Sequence, residues 1–188
     1  MVYNTYDGFG RLATSEIHKD GSTTNASYAY NGDDLRMSKT VDGEITKYVL
    51  DRGSVLKEVT SQGTKSYMTG LSYISSSDGQ NYLANAHGDI MQIIANNGSI
   101  LNSYEYDAFG VVTAASETVQ NSIKYAGEFT DEETGYIYLR ARYYEPNTLP
   151  AVGNHNFIYA PVAQLDRVLG YEPVGRGFLF YCYGQCIN

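Results

Sequence analysis

The chain repeats itself, and a repeated segment limits it to folds in which one local unit is stacked on the next. Tyr6-Asp7-Gly8-Phe9-Gly10-Arg11-Leu12 returns as Tyr106-Asp107-Ala108-Phe109-Gly110-Val111-Val112 with a shared Y-D-x-F-G core, and Tyr30-Asn31-Gly32-Asp33-Asp34-Leu35-Arg36 is a looser copy. In each copy a Tyr followed by Asp or Asn closes one extended run, and small or turn-forming residues lead into the next. The side chain of Asp7, Asn31 or Asp107 is expected to cap the turn by accepting backbone N–H groups, so each copy reads as strand, turn, strand.

Turn signals continue between the copies at Lys19-Asp20-Gly21, Asp42-Gly43, Gln62-Gly63, Ser77-Asp78-Gly79, Asn97-Gly98 and Thr134-Gly135. Gly, Asn and Asp tolerate the positive φ of tight hairpins, and the intervals hold one strand each. The expected fold is therefore all-β: an antiparallel hairpin meander, less regular around Ala84 to Ile94. Within the strands the period is two. Tyr104 and Tyr106 share one face of Ser103–Asp107, as Tyr28 and Tyr30 do in Ser27–Asn31, so one sheet face is tyrosine-rich. Read as one strand, Tyr136 to Tyr144 places Tyr136, Tyr138, Arg140, Arg142 and Tyr144 on one side and Ile137, Leu139, Ala141 and Tyr143 on the other. Guanidinium stacking on phenol is expected there.

Composition agrees: 19 Tyr, 19 Gly, 6 Phe and no Trp favour short strands and tight turns. A formal charge of −8 argues against wrapping a nucleic-acid backbone. The acids and bases concentrate in residues 1 to 148, whereas 149 to 188 contain only Asp166, Glu172, Arg167 and Arg176, so the tail reads as a different object. Cys182 and Cys186 lie in that tail and supply no disulfide framework to the body. The opening residues lack a basic and apolar leader pattern, and no 18-residue apolar run is present.

With these motifs in hand, the sequence resembles the YD-repeat family, whose repeats carry a Y-D-x-x-G-R-L-like core. The run NYLANAHGDIMQIIANNGSILNSYEYDAFGVV, followed by KYAGEFTDEETGYIYLRARYY, is similar to the Rhs repeat-associated core, especially that of the wall-associated bacterial branch. The resemblance implies three regions: degenerate YD repeats over 1–79, the repeat-associated core over 80–148, and an unrelated tail over 149–188, disordered or spurious. It implies a spiralling β-sheet that encloses a cavity, within a longer secreted or cell-surface parent that carries a toxin tip. Its partners would be the rest of that shell, the toxin, and in one alternative a cell-wall carbohydrate, with no nucleic acid and no membrane span. The motif residues carried over are Tyr6, Asp7, Gly10, Arg11, Tyr30, Asn31, Tyr104, Tyr106, Asp107, Gly110, Gly135, Tyr138, Arg140, Arg142, Tyr143 and Tyr144, all in structural roles, with no ligand-binding residue assigned. After Thr148 the family's G-R-F triplet and Asp-Pro-containing stretch are replaced by Leu149-Pro150-Ala151, so the family's self-cleavage chemistry maps onto no residue here. The text APVAQLDRVLGYEPVGRGF resembles a reading frame run through a transfer-RNA gene.

No motif argues for catalysis, a cofactor or a metal. His18, His87 and His155 are far apart, and His87-Gly88-Asp89 has too few ligands for a metal and reads as a strand junction. Glu128, Asp131, Glu132 and Glu133 read as a solvated hairpin turn ending at Gly135, with a pair from one acid to Arg140 or Arg142 as a secondary expectation. No GxSxG, Walker-type loop or CxxC occurs. The tyrosine face has two readings, cross-strand packing and stacking against sugars, of which packing is preferred. The expectation is a non-enzymatic shell segment.

Overall fold

Asp20-Gly21, Asp42-Gly43 and Arg52-Gly53 each place two successive residues at positive φ, the backbone of the two-residue turn whose twist matches that of the strands it joins. Three of the eleven chain reversals that build one antiparallel sheet are of this kind. The computed structural model describes residues 1–140 and 142–147 and, of the tail, the backbone of 157–158 alone; the sequence expectations for the rest of the tail, including His155, Cys182 and Cys186, lie outside the described residues.

The strands are β1 (Val2–Tyr6), β2 (Leu12–Lys19), β3 (Ser22–Tyr30), β4 (Arg36–Val41), β5 (Glu44–Asp51), β6 (Ser54–Thr60), β7 (Gly63–Thr69), β8 (Tyr73–Ser76), β9 (Gln80–Ala84), β10 (Ile90–Ala95), β11 (Ile100–Tyr106) and β12 (Val112–Glu117), each hydrogen-bonded to its sequence neighbours. The ladder runs through residues 79 and 80 without a break, because β8 pairs with β9. A second antiparallel sheet follows, made of β13 (Phe129–Thr130), β14 (Ile137–Leu139), β15 (Arg142–Tyr144) and β16 (Phe157–Ile158). The all-β meander read from the sequence is the fold.

The turns alternate between two rims. One rim carries turns at 7–11, 31–35, 52–53, 70–72, 85–89 and 107–111, and the opposite rim carries those at 20–21, 42–43, 61–62, 77–79 and 96–99. On the first rim Asp7 Oδ1 accepts the N–H groups of Phe9 and Arg11 at 2.9 and 3.0 Å, and Asn31 and Asp107 do the same for Asp33 and Leu35 and for Phe109 and Val111. Asn85 repeats the arrangement with His87 and Asp89. A fourth copy of the repeat turn therefore occupies the stretch read as irregular, hidden because Ala84 stands where the other copies have Tyr.

Two adjacent residues show how strongly the sheet bends. The Tyr143 hydroxyl lies 3.0 Å from that of Tyr30 on β3, while the Tyr144 hydroxyl donates to the Phe109 carbonyl, beyond β11, at 2.9 Å. In a flat sheet those strands would be about 40 Å apart, at about 4.8 Å per spacing. The sheet curls around the segment 119–147, and its concave face forms the core. That face carries Tyr28, Tyr48, Tyr67, Tyr82 and Tyr104, one on each of β3, β5, β7, β9 and β11, all buried, with Leu12, Val55, Ile90 and Ile93 between them.

Candidate functional site

The tyrosine ladder follows from the repeat. Each ladder ring stands three residues before the residue at 31, 51, 70, 85 or 107 that opens a first-rim turn, so the alternation of the strand delivers every ring to the same side. Against them the inner segment sets Phe129, whose ring centroid lies 6.0 to 6.1 Å from those of Tyr48, Tyr67 and Tyr73. The rings are covered from within the chain, which is the packing reading; a sugar reaches them only if the segment leaves.

The sequence expectation of one strand over Tyr136 to Tyr144 is corrected. Arg140 adopts φ 60, the chain reverses, and β14 and β15 pair as a hairpin that brings Tyr138 directly opposite Tyr143. The two rings, assigned to opposite faces by a continuous period of two, stack 5.3 Å apart. Guanidinium–phenol stacking does occur here, but the cation is Arg36, whose guanidinium carbon sits 4.4 Å from the Tyr138 centroid, 5.0 Å from Tyr48, 5.7 Å from Tyr28 and 5.8 Å from Tyr143. Arg142 heads β15, half-buried.

The acidic run is corrected as well. Asp131 is 1 % exposed, and its two oxygens are taken by Arg36 at 2.6 Å and Lys39 at 3.0 Å. Lys39 also reaches Glu133 at 3.1 Å. Glu132 alone keeps the exposed position expected of the whole run, and Gly135, at φ 75, does end the turn. Glu128 pairs with Arg140 at 2.9 Å, the secondary expectation for this hairpin. Burial opposes ionisation of Asp131, but the two cations outweigh it and hold the carboxyl below the usual range. Glu128 goes the other way: burial raises it and Arg140 offsets only part of that. The cluster gathers charges and neutralises them. Neither oxygen of Asp131 is free to act as a base, so its chemistry is that of a tether between sheet and inner segment.

The remaining motif residues divide by location. On the first rim Arg11 pairs with Asp7 and reaches the next repeat at Asp34 (2.9 Å) and the Asn31 carbonyl, while stacking on Phe9 and Tyr30, so one repeat clips the following one. Tyr6 closes β1, partly exposed. Gly10 and Gly110 supply the positive φ that their turns need, and Gly110 also lies so close to Tyr125 that a Cβ would meet the ring at 2.7 Å. Tyr106 donates to the Ile90 carbonyl at 2.9 Å, and Tyr104 accepts from Asn102 at 2.8 Å. His87 Nδ1 meets Asp89 at 2.8 Å, and Asp89 also takes the Ala126 N–H, so this junction ties the fourth repeat turn to the inner segment.

Beside the charge cluster lies a cavity of about 650 Å³ that opens toward the second rim, with Lys39, Lys65, Glu58, Asp78, Gln120 and Glu133 on its walls. Among the described residues no group of three or more His, Cys, Asp or Glu side chains has the arrangement to hold a metal, and no helix is long and apolar enough to cross a membrane. Sequence reasoning missed Arg36, Lys39 and Glu133 as members of a site. One signal was present: in the aligned repeats Arg36 stands where the other copies have Leu12 and Val112.

A curled antiparallel meander whose concave face is filled by its own chain defines a class of fold, a repeat-built β-sheet closed by an inner segment. No protein-family model matches the chain. It is 43% identical over 154 residues to the tRNA3(Ser)-specific nuclease WapA of Bacillus spizizenii and 43% identical over 160 residues to the tRNA nuclease WapA of Bacillus subtilis, with 76% of this chain covered in each case. It spans only 7% of the length of those relatives. Its fold matches that in a TcdB2-TccC3-TEV crystal structure with a TM-score of 0.64 at 15% identity, over 89% of this chain and 9% of that one. The chain belongs to the Rhs/YD-repeat family.

Proposed function

We propose that residues 1–147 form a wall segment, with its inner closing segment, of an Rhs-type shell that surrounds the toxin part of a longer secreted or surface-displayed protein. Residues 1–79 would be degenerate repeats and 80–148 the repeat-associated core. The observation that carries this reading is the curl: a single sheet bends until Tyr143 and Tyr144, neighbours in the chain, touch β3 and the turn after β11. A wall of that curvature with a buried polar tether has the build of an enclosure. In this reading the chain has no catalytic activity of its own, and the nuclease activity in the names of the WapA relatives belongs to parts that this chain does not span. Its partners are the neighbouring shell and the enclosed tip.

The test is a chimera in which residues 1–147 replace the matching stretch of Bacillus subtilis WapA. The region C-terminal to the replacement is expected to stay resistant to added protease in the intact particle and to become sensitive once the particle is unfolded. Immediate digestion in the folded chimera, or tRNA cleavage by residues 1–188 alone, would overturn the reading. Carbohydrate recognition is the weaker alternative, because the ring face it would use is occupied.

A further inference from the structure

A sheet built from near-equivalent hairpins offers near-equivalent seats to whatever packs inside it. Each hairpin that turns on the first rim presents two concave positions on its second strand. The first lies across the ladder from the residue ahead of the turn: Leu12, Arg36, Val55, Tyr73, Ile90 and Val112 in chain order. The second lies opposite the ladder position itself: Ser15, Lys39, Glu58, Ser76, Ile93 and Ala115. Of these twelve residues only Arg36 and Lys39 are cations, and both belong to the β3–β4 hairpin. The aromatic contacts do not discriminate in this way, since Phe129 already touches rings from three strands and a ladder tyrosine stands on every odd strand from β3 to β11.

We propose that Arg36 and Lys39 are the address that selects where the closing segment docks, read by Asp131 and Glu133. Shifted by one hairpin toward β2, Asp131 would lie against Leu12 and Ser15 and stay buried without a counter-charge. Shifted toward β6 it would face Val55 and the carboxylate of Glu58, so that seat repels as well as failing to attract. Either slip also strands Arg36, which is 1 % exposed. Buried ionic groups give little net stability over apolar ones of the same size, and their best-attested use is to fix register and to penalise alternatives. The inference concerns how the wall closes and holds whether or not the parent carries a toxin.

A fluorotyrosine at position 143 reports the seat, because its ring meets Tyr28, Tyr30 and Tyr138 in the native register. In the full chain one fluorine resonance is expected. Arg36→Met combined with Asp131→Met removes both charges together, so neither is left buried alone; this variant is expected to show two or more resonances in slow exchange while the β14 amides stay protected from hydrogen exchange. Val55→Arg combined with Glu58→Lys writes a second address on the next hairpin and is expected to add a resonance to an otherwise native spectrum. A single native resonance in both variants overturns the proposal. So does complete loss of β14 protection in the double-methionine variant, which would make the pair the source of docking energy and not its address.

Discussion

The twelve-stranded sheet and the segment that fills it share one interface but are held by different means. The sheet rests on contacts between sequence neighbours: each strand pairs with the next, and each first-rim turn of the Asx kind satisfies its own N–H groups. The inner segment rests on contacts across about a hundred residues, among them Arg36 with Asp131, Lys39 with Glu133 and Asn4 with Tyr136. Specificity resides in the second set of contacts. Local repetition makes a wall cheaply in loop-closure entropy, but it does not say where along the wall the closing segment should dock, and a few buried charges on one hairpin supply that information.

The largest expected effect tests whether the two layers stand or fall together. Burial raises the phenol pKa of Tyr28, Tyr30, Tyr67, Tyr73, Tyr82, Tyr104 and Tyr106, and pushes Tyr48 up to about 12. Tyr138 and Tyr143, on the inner segment, are raised by the same cause. A raised folded pKa contributes stability that is fully present below the unfolded value of about 10 and is lost as pH climbs toward the folded values. Cooperative unfolding is expected above about pH 10, with phenolate absorbance and the loss of strand circular dichroism rising together. Absorbance that reaches completion while strand signal persists would show that the inner segment leaves first and the sheet survives without it.

Removing one partner of the tether comes next. Asp131→Ala leaves Arg36 buried and unpaired and is expected to cost about 3–5 kcal/mol in urea denaturation. Glu117→Gln breaks the half-exposed pair with Lys124 (2.9 Å) and is expected to cost less than about 1 kcal/mol. Equal costs would dissolve the distinction between the fully buried tether and a partly exposed pair.

A pair of glycines separates the layers more finely. Gly98 and Gly110 have nearly the same φ, +86 and +89, but a Cβ on Gly98 meets nothing within 4 Å, whereas one on Gly110 meets the Tyr125 ring at 2.7 Å. Gly98→Ala carries only the backbone penalty, about 1–2 kcal/mol. Gly110→Ala is expected to cost about 1–3 kcal/mol more, as overpacking does, and to raise hydrogen exchange around residues 124–127. Identical midpoints for the two variants would mean that Tyr125 swings away freely and that the rim does not hold the inner segment.

These contrasts also mark what was legible in the sequence. Strand period, turn residues and the Y-D repeat are short-range patterns, and they predicted the meander and the caps of Asp7, Asn31 and Asp107. The fourth turn at Asn85 was obscured because its flanking Tyr is Ala84, although the capping Asn and the Gly three residues later were in view. The hairpin within Tyr136 to Tyr144 left no mark, since the residue that turns it is Arg140 and not a Gly or Asn. Arg36 and Asp131 are 95 residues apart, and a period of two says which face a residue takes but not what will cover that face. An acidic run that ends in a turn at Gly135 therefore looked solvated until the fold supplied two cations.

The smallest effect bears on the caps themselves. In Asp107→Ala the N–H groups of Phe109 and Val111 lose their side-chain acceptor, but they lie at a rim where water replaces it, so the cost should stay near about 1 kcal/mol, the net value of such bonds. Asn85→Ala removes the equivalent acceptor from His87 and Asp89 and also the 2.8 Å bond from Asn85 Nδ2 to the Asp89 carboxylate. That carboxylate in turn receives the Ala126 N–H of the inner segment at 2.8 Å. The same chemical deletion should therefore stay local at Asp107 and propagate at Asn85, where amide exchange at Ala126 is expected to quicken along with that of His87. If Ala126 exchanges at its native rate in Asn85→Ala, the bond from Ala126 to Asp89 does not depend on the capping Asn, and the fourth turn and the closing segment are coupled through their other contacts, such as the Ile90 N–H to the Lys124 carbonyl at 3.0 Å.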